Sequence, residues 1–131
     1  MLSRFRKWLQ ERREWRRIHD AAWSGVIMPG PDGVSPYLHS VRAELLATVA
    51  DLDLQLYGET DRFYQGIIPG TDAVVYLYSE GAQIHEGSHE LFWAEYHDYK
   101  TPQELTERLV ARVCEVQPNN SFKPTPLRGA A

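Results

Sequence analysis

The sequence contains a single cysteine, Cys114, among its 131 residues. A lone cysteine excludes an internal disulfide and is typical of a reducing compartment, so we expect a cytoplasmic protein in which Cys114 is a small buried residue. No apolar run approaches the roughly 20 residues of a membrane-spanning helix, and no apolar segment follows the first basic residues. The sequence therefore predicts neither a membrane span nor a secretory signal.

Basic residues are scarce in the middle of the chain. Residues 18–100 hold three Arg or Lys against thirteen Asp or Glu, a net charge of −10, whereas residues 1–17 carry +5. An acidic body is a poor surface for nucleic acid, whose phosphates need cations, but it suits a basic protein. The sequence also lacks a glycine-rich phosphate loop, a dinucleotide fingerprint and paired cysteines for a metal. We therefore expect a protein partner and no nucleic acid.

Residues 1–23 are predicted to form a basic amphipathic helix with a broad apolar stripe, made of Phe5, Trp8, Leu9, Trp15, Ile18 and Ala22. Three interpretations are open. The helix could pack on its own acidic body, lie on an anionic membrane through residues 1–20, or contact another partner. An aromatic stripe belongs more often to a core than to a docking surface, so we favour packing on the body.

Residues 24–116 are predicted to form a single α+β domain built on an antiparallel meander of about five strands. Residues 40–50 fit a helix, because Val41, Leu45 and Val49 are four residues apart. They also fit part of a strand, because Val41, Ala43 and Leu45 alternate, and both interpretations stay open. The segments with strand character are 52–57, 62–68, 74–78, 82–86 and 89–99.

A C-terminal helix is predicted to begin at Pro102 and to pack on the sheet. Thr101 can cap it and Glu104 completes a capping box, while Leu105, Leu109 and Val113 recur at helical spacing. Residues 117–131 are rich in proline and polar residues without periodicity, so we expect a disordered tail.

One motif resembles a catalytic signature. His85-Glu86-x-x-His89 is similar to the zinc motif of zincin metallopeptidases, which implies zinc held by the two histidines and Glu86 as the catalytic base. That chemistry requires a helix, because only there do residues four apart share a face. The third ligand that the resemblance implies would be His97, Glu104 or Glu107.

Gly87 and Ser88 lie inside this motif and together cost a helix about 1 kcal/mol or more relative to alanine. The same letters fit a β-hairpin that turns at these two residues, and we favour the hairpin. We accordingly expect no catalytic residues, no metal and no cofactor. Ser88, His85 and Asp98 could be assembled into a hydrolytic triad, but no pattern in the sequence fixes their geometry.

The segment Val75–Val113, with Val-Tyr-Leu-Tyr-Ser-Glu-Gly and then Tyr-Lys-Thr-Pro-Gln-Glu-Leu, resembles small immunity proteins of bacterial polymorphic toxin systems. The resemblance implies a protein that neutralises a cognate toxin by direct binding. We expect a non-enzymatic protein-binding module whose partner is a basic toxin domain. The alternative is that this protein is itself a small zinc peptidase that uses His85-Glu86-x-x-His89. The expected partner-binding residues are four carboxylates, Glu86, Glu90, Glu95 and Asp98.

Overall fold

A computed structural model describes residues 2–118. The helices are α1 (Leu2–Trp23), α2 (Pro36–Thr48) and α3 (Pro102–Val116). The strands are β1 (Gln55–Tyr57), β2 (Phe63–Ile67), β3 (Val74–Tyr78), β4 (Gly81–Glu86) and β5 (His89–Glu95), followed by a 3-10 turn at Tyr96–Asp98. Most of the predicted tail, residues 119–131, lies outside the described residues. Within the part of the chain that is described, no helix is both long and apolar enough to cross a membrane.

The sheet is the predicted antiparallel meander. Its five strands lie in the order β1-β2-β3-β4-β5, and each pairs antiparallel with the next along the chain. Short turns suffice for this topology because consecutive antiparallel strands need no crossover connection. The fold is therefore α+β, with helices before and after one sheet, as the sequence predicts.

The segment 40–50 forms most of a helix. Ser35 caps α2 by accepting a hydrogen bond from the Leu38 backbone N–H at 3.1 Å, and Pro36 occupies its first turn. Val41 and Leu45 then lie four residues apart on its buried face. The helical interpretation of this segment is thus confirmed, and the helix starts earlier than residue 40 because its capping signal lies at Ser35-Pro36.

One face of the sheet carries the hydrophobic core. Val75 and Ile84 at its centre are fully buried, and α2 and α3 pack against this face through Leu45 and Leu109. Thr101 caps α3 as predicted, since its hydroxyl accepts a hydrogen bond from the Glu104 N–H at 3.1 Å.

The terminal strand is shorter than predicted. β5 ends at Glu95, and Tyr96 enters the 3-10 turn and stacks on His19 of α1 at 5.6 Å between ring centroids. A register shift after Ile84 also leaves Leu91 without a direct partner on β4. Leu91 therefore packs partly against the core instead of alternating to the opposite face, as strict alternation would require.

Replacing Leu109 by alanine tests whether α3 is part of the core. Leu109 is fully buried, so Leu109→Ala should lower the free energy of unfolding by about 2–5 kcal/mol in urea titrations. The exposed neighbour Arg108 provides the control, and Arg108→Ala should change it by less than about 0.5 kcal/mol. Equal effects of the two substitutions would contradict this packing.

Candidate protein-binding surface

The helices described within residues 2–118 leave the face of the sheet opposite the core uncovered. None of its side chains belongs to the buried core, and Tyr57, Ile67 and Trp93 are 44%, 61% and 53% exposed. We call this surface the outer face. Strand register assigns to it Gln55, Tyr57, Phe63, Gln65, Ile67, Val74, Tyr76, Tyr78, Gln83, His85, Glu90, Trp93 and Glu95.

Aromatic rings run across the outer face from the edge strand β1 to β4. Tyr57 stacks on Phe63 at 5.8 Å between centroids, and Phe63 lies 5.7 Å from Tyr78. Tyr78 is stacked on Tyr76 at 6.2 Å, and Tyr76 meets His85 edge-on at 6.2 Å. Each ring is supported by its neighbours, so the series forms a preorganised apolar surface with polar hydroxyls.

Trp93 extends the aromatic surface onto β5 and joins it to a carboxylate. Its indole N–H donates a hydrogen bond to the Glu95 carboxylate at 3.0 Å. The other oxygen of Glu95 lies 3.7 Å from His97 Nε2. Trp93 and Glu95 therefore form one paired unit with an exposed ring and an anionic end.

The charges of the outer face are negative. Glu90 and Glu95 are its two carboxylates, and no Lys or Arg is present among the outer-face residues. His85 contacts the amide oxygen of Gln83 at 3.2 Å. Burial, and to a lesser extent the neighbouring Tyr76, raises the pKa of the Tyr78 hydroxyl above its ordinary value. The surface is aromatic and acidic, and it can accept hydrogen bonds from cationic groups.

The four predicted partner-binding carboxylates do not form one cluster. Glu90 and Glu95 lie on the outer face. Glu86 lies at the tip of the β4–β5 hairpin, beside the C-terminal end of α3 at Val116. Asp98 lies in the 3-10 turn, in a groove against α1. The structure thus brings two of the four to one surface and separates the other two.

The His85-Glu86-x-x-His89 segment folds as a β-hairpin, as favoured from the sequence. Gly87 has φ 61°, whereas Ser88 does not have positive φ, which is the pattern of a tight two-residue turn. His85 pairs with Glu90 on the outer face, and His89 pairs with Glu86 one position further along the strands. Adjacent positions on a strand point to opposite faces, so the two imidazoles do not share a face and the zincin geometry is not formed.

The other groups considered for catalysis also have separate environments. Among residues 2–118, no three His, Cys, Asp or Glu side chains are placed to hold a metal ion together. Glu104 accepts a hydrogen bond from the Lys100 N–H at 2.9 Å, and Glu107 accepts one from Gln103 at 3.1 Å. Over the same residues, no hydrogen bond joins any two of Ser88, His85 and Asp98.

Cys114 is half-buried on α3 beside the core. Burial raises the pKa of its thiol, which keeps it protonated near neutral pH and lowers its nucleophilicity. The sequence predicts a buried Cys114, and the structure buries it only partly.

The outer face is the feature that sequence reasoning missed. Tyr76 and Tyr78 alternate with the buried Val75 and Leu77, so the pattern separates two sets of residues. Both sets are apolar, and periodicity alone does not say which one is covered. The signal that could have found the outer face is the number of tyrosines, which tolerate partial exposure better than valine or leucine.

Comparisons with protein-family models, with curated proteins and with solved structures give no match to this chain. Its candidate function therefore depends on its own residues.

A substitution at Gly87 tests whether the His85–His89 segment is a hairpin or a helix. In the hairpin, Gly87→Ala places a side chain at φ 61° with no neighbouring atom within 4 Å of the new Cβ, so only backbone strain counts. We expect a loss of about 1–2 kcal/mol in the free energy of unfolding. In a helix the same substitution would raise the free energy of unfolding by about 1 kcal/mol, so a gain in stability would contradict the hairpin. Ser88→Ala is the control and should have little effect.

Zinc retention tests the histidine pair separately. Because His85 and His89 lie on opposite faces of the hairpin, we expect metal analysis of the purified protein to find no zinc that depends on them. A stoichiometric zinc ion that is lost in the His85→Ala/His89→Ala variant would contradict this expectation.

Proposed function

We propose that this protein is a non-enzymatic protein-binding module whose outer face docks on a basic protein surface. The observation that carries the proposal is the uncovered face of the sheet, which combines a continuous series of aromatic rings with Glu90 and Glu95 and has no Lys or Arg. Soluble proteins rarely expose contiguous apolar patches of this kind unless they bind something.

The side chains of the outer face match those that dominate protein interfaces. Tyrosine and tryptophan supply large contact areas at low entropic cost, because each has only two side-chain torsions to fix. Trp93 is 53% exposed, although the hydrogen bond from its indole to Glu95 already orients the ring. Such a preoriented side chain loses little freedom on binding.

The partner that fits this surface presents arginine or lysine side chains. A guanidinium can stack on an exposed tryptophan or tyrosine ring and at the same time pair with a carboxylate beside that ring. The Trp93 ring and the Glu95 carboxylate, which are joined by a hydrogen bond, provide the aromatic face and the anion for such a contact. Glu90 adds a second carboxylate on the same strand. The negative charge of residues 18–100 would also accelerate encounter with a basic protein.

The resemblance of Val75–Val113 to bacterial immunity proteins suggests the biological role. We propose that the protein neutralises a cognate toxin by direct binding and that the toxin domain is basic. A nuclease is the kind of toxin that fits, since an acidic aromatic face can occupy a site built for nucleic acid. No catalytic residue and no cofactor are needed for this activity.

The neighbouring genes are first searched for one that encodes a basic toxin domain. That purified domain is then used to measure binding by calorimetry and protection by toxin activity. We expect a 1:1 complex that abolishes toxin activity. Trp93→Ser should weaken binding by more than about 2 kcal/mol, as for an interface hot spot. Glu90→Gln/Glu95→Gln should slow association and reduce its dependence on salt.

The control is another exposed tryptophan on a different surface. Trp8 of α1 is 51% exposed, close to the value for Trp93, and Trp8→Ser should leave affinity and protection unchanged. A complex whose affinity is changed neither by Trp93→Ser nor by Glu90→Gln/Glu95→Gln would contradict the outer face as the docking surface. Absence of any complex would contradict the immunity role.

A further inference from the structure

Helix α1 consists of two halves with different environments. His19 and Trp23 in its second half are buried, whereas every residue from 2 to 14 is exposed except the half-buried Leu9. The first half is about 20 Å long at 1.5 Å per residue. Packing of the helix on the body, which the sequence favours, therefore applies to the second half only.

The second half is fixed to the body by rings and hydrogen bonds. His19 Nε2 lies 2.8 Å from the carbonyl oxygen of Tyr96, and the Trp23 indole N–H donates to the carbonyl of Tyr99 at 2.9 Å. Trp15 stacks on His19 at 5.0 Å between centroids, and Trp23 packs against Tyr37 at 5.2 Å. This anchor holds the direction of α1, so its first half is presented as a rigid helical surface.

The first half exposes an apolar patch, of which only Trp8 also lines a groove with His97 and Asp98 of the 3-10 turn. Leu2, Phe5 and Trp8 are 69%, 56% and 51% exposed, and Leu9 lies beside them at helical spacing. Phe5 stacks on Trp8 at 6.1 Å between centroids. Exposed large apolar side chains on consecutive turns of one helix mark an interaction surface.

Basic side chains surround this patch. Residues 2–14 contain five cations, Arg4, Arg6, Lys7, Arg12 and Arg13, against Glu11 and Glu14. The Arg12 guanidinium lies over the Trp8 ring, 5.2 Å from its centroid, at the end of the patch nearer the body. Cations on long stems around an apolar patch can reach lipid headgroups while the patch enters the acyl boundary.

We propose that the first half of α1 docks on an anionic lipid surface, lying in the interface with Leu2, Phe5, Trp8 and Leu9 inserted. Charge complementarity selects an anionic lipid surface over a neutral one. The apolar residues at the centre of the patch select a membrane over nucleic acid, because a helix that binds phosphates directs cations to the contact face. This inference does not depend on the proposed function.

Co-sedimentation with lipid vesicles tests the proposal on the full chain. Vesicles of phosphatidylcholine with about 30% phosphatidylserine are compared with pure phosphatidylcholine vesicles. We expect binding to the anionic vesicles only, and this binding should fall as NaCl rises from about 0.05 to about 0.5 M. Phe5→Ser/Trp8→Ser should reduce partitioning by about tenfold or more, since both side chains leave the acyl boundary.

Two further variants separate the patch from its charges and from exposed aromatics in general. Arg6→Gln/Arg13→Gln keeps the apolar patch and should reduce binding to anionic vesicles severalfold. Tyr57→Ser removes an exposed aromatic from the outer face and should leave vesicle binding unchanged. Circular dichroism and urea unfolding of each variant should show the same fold and stability as the unsubstituted protein, because these positions are exposed.

Three results would overturn the proposal. The first is absence of binding to anionic vesicles at the lowest salt. The second is equal binding to neutral vesicles, which would remove the charge argument. The third is that the protein binds a DNA duplex but neither kind of vesicle, and that the Phe5→Ser/Trp8→Ser variant no longer binds the DNA.

Discussion

The packing of α2 and α3 on the same face of the sheet is the constraint from which the rest of the structure follows. Both helices bury apolar stripes, with Leu45 and Leu109 fully buried beside Val75 and Ile84. One sheet of five short strands has two faces, and these two helices cover only one of them. The side chains that alternate to the other face remain at the surface. Burial on one side thus creates the candidate binding surface on the other.

The outer face supports a binding function better than the acidic residues do alone. Four carboxylates were expected to act together, but Glu86 and Asp98 lie away from Glu90 and Glu95. The aromatic series is continuous, and its members support one another by stacking. In the proposed binding function, apolar contact supplies affinity, while the two remaining carboxylates select a cationic partner and orient it.

Local signals in the sequence predict the elements well. Thr101 and Pro102 locate the start of α3, and Gly87 locates the hairpin turn, because capping and positive φ depend on a few neighbouring residues. The ambiguity over residues 40–50 is resolved by Ser35 and Pro36, a capping signal that lies upstream of that window.

Long-range packing is what the sequence does not predict. Alternation in β3 separates Tyr76 from Val75, but the position of α2 and α3 decides which of the two is covered. The apolar stripe of α1 likewise continues from Phe5 to Ala22, although only the second half of the helix meets partners, at Tyr96 and Tyr99. A pattern records amphipathicity, whereas burial depends on tertiary contacts.

Chemical-shift mapping of a complex with the proposed basic toxin domain is the most direct test of the outer face as the docking surface. We predict that the backbone signals of Tyr57, Tyr76, Trp93 and Glu95 and the indole signal of Trp93 move on binding, while the backbone signal of Arg108 on the solvent side of α3 does not. Perturbations confined to α3 or to the tip of the hairpin at Gly87 and Ser88, with the outer face unchanged, would contradict it.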